Sequence, residues 1–84
     1  MDSKEKFEKG QELFMQKKFA ESIDMFNKAM EDGYDPVSSH LSIGAAYLND
    51  GKIDDAMHEF SKVVEIDKKN DRAYFYRGVL ISTL

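Results

Sequence analysis

The 84-residue sequence predicts an all-α protein of five helices, and three observations carry that prediction. Apolar residues recur at three-and-four spacing, as in Leu13, Ile23, Phe26, Ala29 and Met30 and again in Ala56, Met57, Phe60, Val63 and Val64. That is the rhythm of amphipathic helices. β-branched and aromatic residues nowhere sustain a period of two, and one proline and five glycines leave few breaks. The third observation is a repeat: Gly10, Gly44 and Gly78 are separated by 34 residues each time.

The pattern places helices near 3–16, 19–32, 37–49, 53–67 and 71–83. Lys17-Lys18 forms the first turn without a glycine. Asp35-Pro36 reads as a cap followed by proline in the first helical turn, where its missing N–H is harmless. Asn49-Asp50-Gly51 ends the third helix, with Gly51 as the left-handed cap that glycine adopts cheaply. Asp54 or Asp55 is expected to cap the fourth helix, and Asn70 or Asp71 the fifth.

Gly44 needs another explanation, because glycine inside a helix costs roughly 1 kcal/mol against alanine. The repeat supplies it. Three residues after the glycines stand Leu13, Tyr47 and Ile81; sixteen after the first two stand Phe26 and Phe60, and nineteen after stand Ala29 and Val63. Each glycine is therefore expected to be a packing residue that lets a neighbouring helix approach closely. This set resembles the tetratricopeptide repeat, a 34-residue helix–turn–helix unit, across residues 3–84. The matching positions are Gly10, Leu13, Ser22, Phe26 and Ala29, then Gly44, Tyr47, Ala56, Phe60 and Val63, then Gly78 and Ile81. Val63 replaces the family's small residue, Ser22 its alanine and Lys68 its helix-breaking proline; Pro36 comes two residues late. The resemblance implies an α-solenoid of antiparallel helix pairs with a right-handed superhelical twist. It divides the single domain into repeats at 3–36 and 37–70 and a partial repeat at 71–84.

Composition narrows the function. The chain has no cysteine, which leaves disulfides and thiolate metal sites out. Twelve basic and 16 acidic residues give a net charge of −4, which disfavours nucleic acid and anionic membrane as partners. No apolar run approaches the ~20 residues that span a bilayer, and no signal segment opens the chain. The expected setting is soluble and cytoplasmic.

No catalytic or metal-binding pattern is evident. His40 and His58 lie 18 residues apart without a carboxylate cluster at ligand spacing; His40 is expected to cover the preceding helix and His58 to be solvated. Asp54-Asp55 and Asn70-Asp71 are explained by helix capping. Asp67 to Asp71 lacks the glycine and distal glutamate of a calcium loop, and Gly51-Lys52 lacks the remainder of a phosphate loop. Neither enzymatic activity nor a cofactor is expected.

The resemblance implies binding of a protein or peptide partner on a concave face lined by the first helix of each pair. Carried over residue by residue, the groove comprises Phe7, Gln11, Phe14, Leu41, Ala45, Leu48, Asn49, Arg72, Phe75 and Tyr76. Phe7, Leu41 and Phe75 share one repeat position, apolar in all three copies, and exposed apolar patches tend to mark binding sites. The family's two-carboxylate clamp for chaperone tails is not expected. Its positions here are Phe7, Gln11, Ser42, Arg72 and Tyr76, and only Arg72 keeps a charge. The fifth helix is apolar nearly all round, where a terminal helix should show a polar face. That pattern predicts a homodimer through Tyr74, Leu80, Ile81 and Leu84 as the alternative, or a targeting fragment of a larger repeat protein or enzyme.

Overall fold

Asp2 opens the first helix by accepting the Glu5 backbone N–H at 2.8 Å, and the chain winds into α1 (Ser3–Met15). The structure is a computed structural model describing residues 1–83. α2 (Phe19–Glu31), α3 (Pro36–Asn49), α4 (Ile53–Ile66) and α5 (Asp71–Thr83) follow, with no strand among the described residues. Every boundary falls within one residue of the sequence expectation.

The turns show why the helices stop where they do. After α1 the Lys18 N–H reaches back to the Leu13 carbonyl at 2.9 Å, and after α3 the Lys52 N–H reaches Tyr47 at 2.9 Å. Both close the six-to-one loop that needs a left-handed residue just past the helix. Gly51 supplies it at φ 80°, whereas its counterpart 34 residues earlier is Lys17, at φ 63°. A lysine there bears a steric penalty that glycine escapes.

Asp35 caps α3 as expected, its carboxylate accepting from the Val37 and Ser38 N–H groups at 3.3 and 3.4 Å. Asn70 caps α5 by accepting the Ala73 N–H at 3.0 Å. The expected cap of α4 is corrected. The N-cap is Lys52, whose side chain makes no cap bond, and Asp54 and Asp55 lie within the first turn. The tight Gly51 turn starts the helix ahead of both acids, so they act on its dipole rather than on a free N–H.

Each helix packs on the next, and α1 also touches α3. Lys6 near the start of α1 pairs with Asp32 just past the end of α2, while Phe14 at the end of α1 meets Phe19 at the start of α2 at a centroid distance of 5.6 Å. Those contacts make the pair antiparallel. Phe7, Ile23, Phe26, Ala29, Ile43 and Ala46 form one core, and Ala56, Phe60 and Leu80 a second, with Tyr47 packed against both.

The glycines position these cores. A Cβ on Gly10 would stand 2.7 Å from the Phe26 ring, and one on Gly44 would stand 2.6 Å from the Phe60 ring. Both rings are fully enclosed, so neither can move aside. The Ser22 hydroxyl, one turn before Phe26, donates to the Gly10 carbonyl at 2.8 Å, which only a close helix approach permits. Gly78 differs: nothing lies within 4 Å of its would-be Cβ. It occupies the same register, but a side chain there would meet open space.

Candidate functional site

Two surfaces stand out. The first is a groove between α1 and α3, a cavity of about 240 Å3 lined by Gln11, Phe14, Met15, Ser42 and Ala45, with Phe26 at its floor. Helical spacing builds it: Gln11, Phe14 and Met15 occupy one stripe of α1, and Ser42 and Ala45 one stripe of α3. The short Ser42 and Ala45 side chains leave the hollow, and Phe14 and Met15 form its apolar wall. Phe14 is held by its edge-on contact with Phe19, while Met15 is 79% exposed. Gln11 and Ser42 offer hydrogen-bonding groups across the gap.

The remaining residues expected in the groove distribute differently. Phe7 is buried, its ring stacked on Tyr34 at 4.3 Å and tilted against Phe26 at 5.1 Å. It is a core residue, because the second helix of its own pair covers that position. Leu41 and Leu48 are partly buried against the second core, and Tyr76 stacks on Phe60 at 4.7 Å. Asn49 is exposed and turns back to donate to the Ala45 carbonyl at 2.8 Å, and Arg72 is exposed at the start of α5. The structure therefore gathers Gln11, Phe14 and Ala45, adds Ser42 and Met15, and does not form one apolar strip through Phe7, Leu41 and Phe75.

The second surface is the outer side of α5. Tyr74, Phe75, Gly78, Val79 and Ser82 line an open depression. Phe75 is 67% exposed and Ile81 59%, against 7% for their counterparts Phe7 and Leu13 two repeats earlier. Leu80 corrects the expected self-association patch: it is buried, on the opposite side of α5, packed in the core with Ala56 and Phe60. Tyr74 and Ile81 are exposed, and Leu84 lies outside the described residues. The apolar character of α5 thus has two sources, a buried side facing α4 and an uncovered side facing away from it.

Two polar groups escaped the sequence reading. His40 reaches the following helix: its Nδ1 lies 2.6 Å from the Glu59 carboxylate on α4, and both side chains are nearly buried. Lys62 approaches the other Glu59 oxygen at 3.7 Å. His40 shares its repeat position with Lys6, which pairs with Asp32 just past the end of α2, but the counterpart of Glu59 is Met25, so the repeat register did not announce this contact. Arg77, the counterpart of buried Ile43, has its Nε buried without a hydrogen-bond partner among the described residues. Among the described residues no cluster of three or more histidine, cysteine or acidic side chains could hold a metal ion, and no helix is long and apolar enough to cross a membrane.

Comparison with known proteins finds a local similarity to a repeat protein. Tetratricopeptide repeat protein 14 of Mus musculus is 44% identical over 43 residues, which is 51% of this chain and 6% of the mouse protein. The chain thus spans only a small part of that relative's length. No family model matches the chain.

Proposed function

We propose that the chain is a tetratricopeptide-repeat-type interaction module, with pairs at 3–36 and 37–70 and a third opened by α5. In this reading it binds an extended segment of a partner protein in the groove between α1 and α3. The observation that carries it is the cavity of about 240 Å3 between Phe14 and Ala45, apolar at its floor and flanked by Gln11 and Ser42. A bound segment seats one apolar side chain against Phe14 and Ala45. Gln11 and Ser42 then take up its backbone amides, which would otherwise be left unpaired on desolvation. The local identity to the mouse repeat protein and the ring-on-glycine packing support the same reading.

The test selects peptides from a random display library against the 84-residue chain and measures each again on Ala45→Arg. An arginine at Ala45 fills the cavity and extends into solvent without entering the core. Affinity is expected to fall at least about tenfold with helix content unchanged. Peptides that hold both proteins equally well place the binding surface elsewhere.

A further inference from the structure

The groove between α1 and α3 owes part of its apolar wall to a side chain that water reaches freely. Met15 is 79% exposed, while Phe14 beside it is partly buried against the core. The chain has five methionines. Met30 and Met57 pack against the two cores, and Met25 is half-buried in α2. Met1 is exposed, but it lines a separate depression with Glu5, Glu8 and Glu12. Met15 is the methionine that is both open to solvent and part of the hollow.

We propose that Met15 is an oxidation site through which a hydroperoxide closes the groove to apolar side chains. The Met15 sulfur attacks the outer oxygen of the hydroperoxide. The sulfur–oxygen bond forms as the oxygen–oxygen bond breaks, sulfur gives up two electrons, and the departing oxygen keeps a proton and leaves as an alcohol or water. The product is methionine sulfoxide, a polar group that reductases convert back to the thioether.

Two effects weaken binding at the groove. The sulfoxide takes apolar surface out of the wall that Met15 shares with Phe14. The counterpart of Met15 on α3 is Asn49, already polar and turned back onto the Ala45 carbonyl at 2.8 Å, so that position supplies no apolar replacement. Gln11 also stands one turn before Met15 on the same stripe. The sulfoxide oxygen accepts from its amide and occupies a donor that a peptide backbone would use. The fold is spared, because a side chain at 79% exposure lies outside both cores. Oxidation of Met30 or Met57 would instead put a polar group into the packing. The loss of binding rests on the groove being a peptide site; the order in which the methionines oxidise does not.

The experiment treats the 84-residue chain with dilute hydrogen peroxide, removes the peroxide and locates the added oxygen by peptide mass spectrometry. Met15 should gain it at least about tenfold faster than Met30 and Met57, with circular dichroism unchanged. Library-selected peptides that Ala45→Arg weakens are then measured on the untreated and oxidised chains. Affinity is expected to fall at least about fivefold on oxidation, and to return after methionine sulfoxide reductases for both epimers have acted. Met15→Leu has no sulfur to oxidise at this site, so peroxide should leave its affinity, whatever the starting value, where it was. The proposal is overturned if peptides sensitive to Ala45→Arg bind the oxidised chain equally well, if Met15→Leu shares the loss, or if Met15 oxidises no faster than Met30. Peptides indifferent to Ala45→Arg overturn the groove as the binding site, and the oxidation switch with it.

Discussion

The first helix of each pair presents the same face, yet α1 and α3 bury it and α5 does not. Phe7 and Phe75 are identical residues at one repeat position, and a second helix separates 7% exposure from 67%. Gly10 and Gly44 are needed because a ring lies on each, while Gly78 keeps the glycine and has no ring. A residue's role in a repeat is therefore set by what is stacked on it. Sequence equivalence fixes the slot, and the neighbour decides whether the slot is core or surface.

The comparison yields predictions of decreasing size. Replacing Phe7 with alanine should remove about 3–5 kcal/mol, because the ring is enclosed by Phe26 and Tyr34 and leaves a cavity. Phe75→Ala should change stability by no more than about 0.5 kcal/mol. Urea unfolding of the two variants reads the contrast, and equal losses would mean that Phe75 is covered. For a domain whose whole stability is on the order of 10 kcal/mol, the first loss is large.

His40 and Tyr74 make the next pair. His40→Ala strands the nearly buried Glu59 carboxylate, leaving Lys62 at 3.7 Å from its other oxygen, an expected loss of about 1–3 kcal/mol. Adding Glu59→Met, which installs the residue type of its counterpart Met25, should recover most of that loss, because an apolar side chain then replaces the stranded acid. Tyr74→Ala, at the position matching His40, should be close to neutral. A double variant as weak as His40→Ala alone would show that packing, not the His40–Glu59 hydrogen bond, holds α3 to α4.

The smallest effect concerns the turns. Lys17→Gly copies Gly51 into the first turn and should raise stability by about 0.5–1 kcal/mol, since the backbone there is left-handed. A thermal scan checks it; a fall in midpoint would mean that chain entropy outweighs the relieved strain.

Much of this fold could be read from the sequence, because helix periodicity, caps and the 34-residue register are local or translational signals. Asp35-Pro36, Gly51 and Asn70 mark boundaries by chemistry that acts within four residues. The site was less accessible. The sequence points Phe7 into the groove because an apolar residue in all copies is consistent with either ligand or core, and the Phe26 and Tyr34 rings packed on it decide for core. Hydrophobicity alone assigns Leu80 to contact with a second copy. Its counterpart is Ala46, a core residue facing the preceding pair, so the register held the answer while hydrophobicity alone did not. Ser42 and Met15 stand at positions that the repeat register turns inward, but the hollow they line is set by two helices from different pairs, which no spacing along the chain encodes.

The most direct test of the account is the urea midpoint of three single variants, Gly10→Ala, Gly44→Ala and Gly78→Ala. The first two should lose about 1–3 kcal/mol, since the added methyl collides with Phe26 or Phe60. Gly78→Ala should instead gain about 0.5–1 kcal/mol from helix propensity in open space. A loss at Gly78 equal to that at Gly44 would mean that the α5 face is already closed, and would contradict the account.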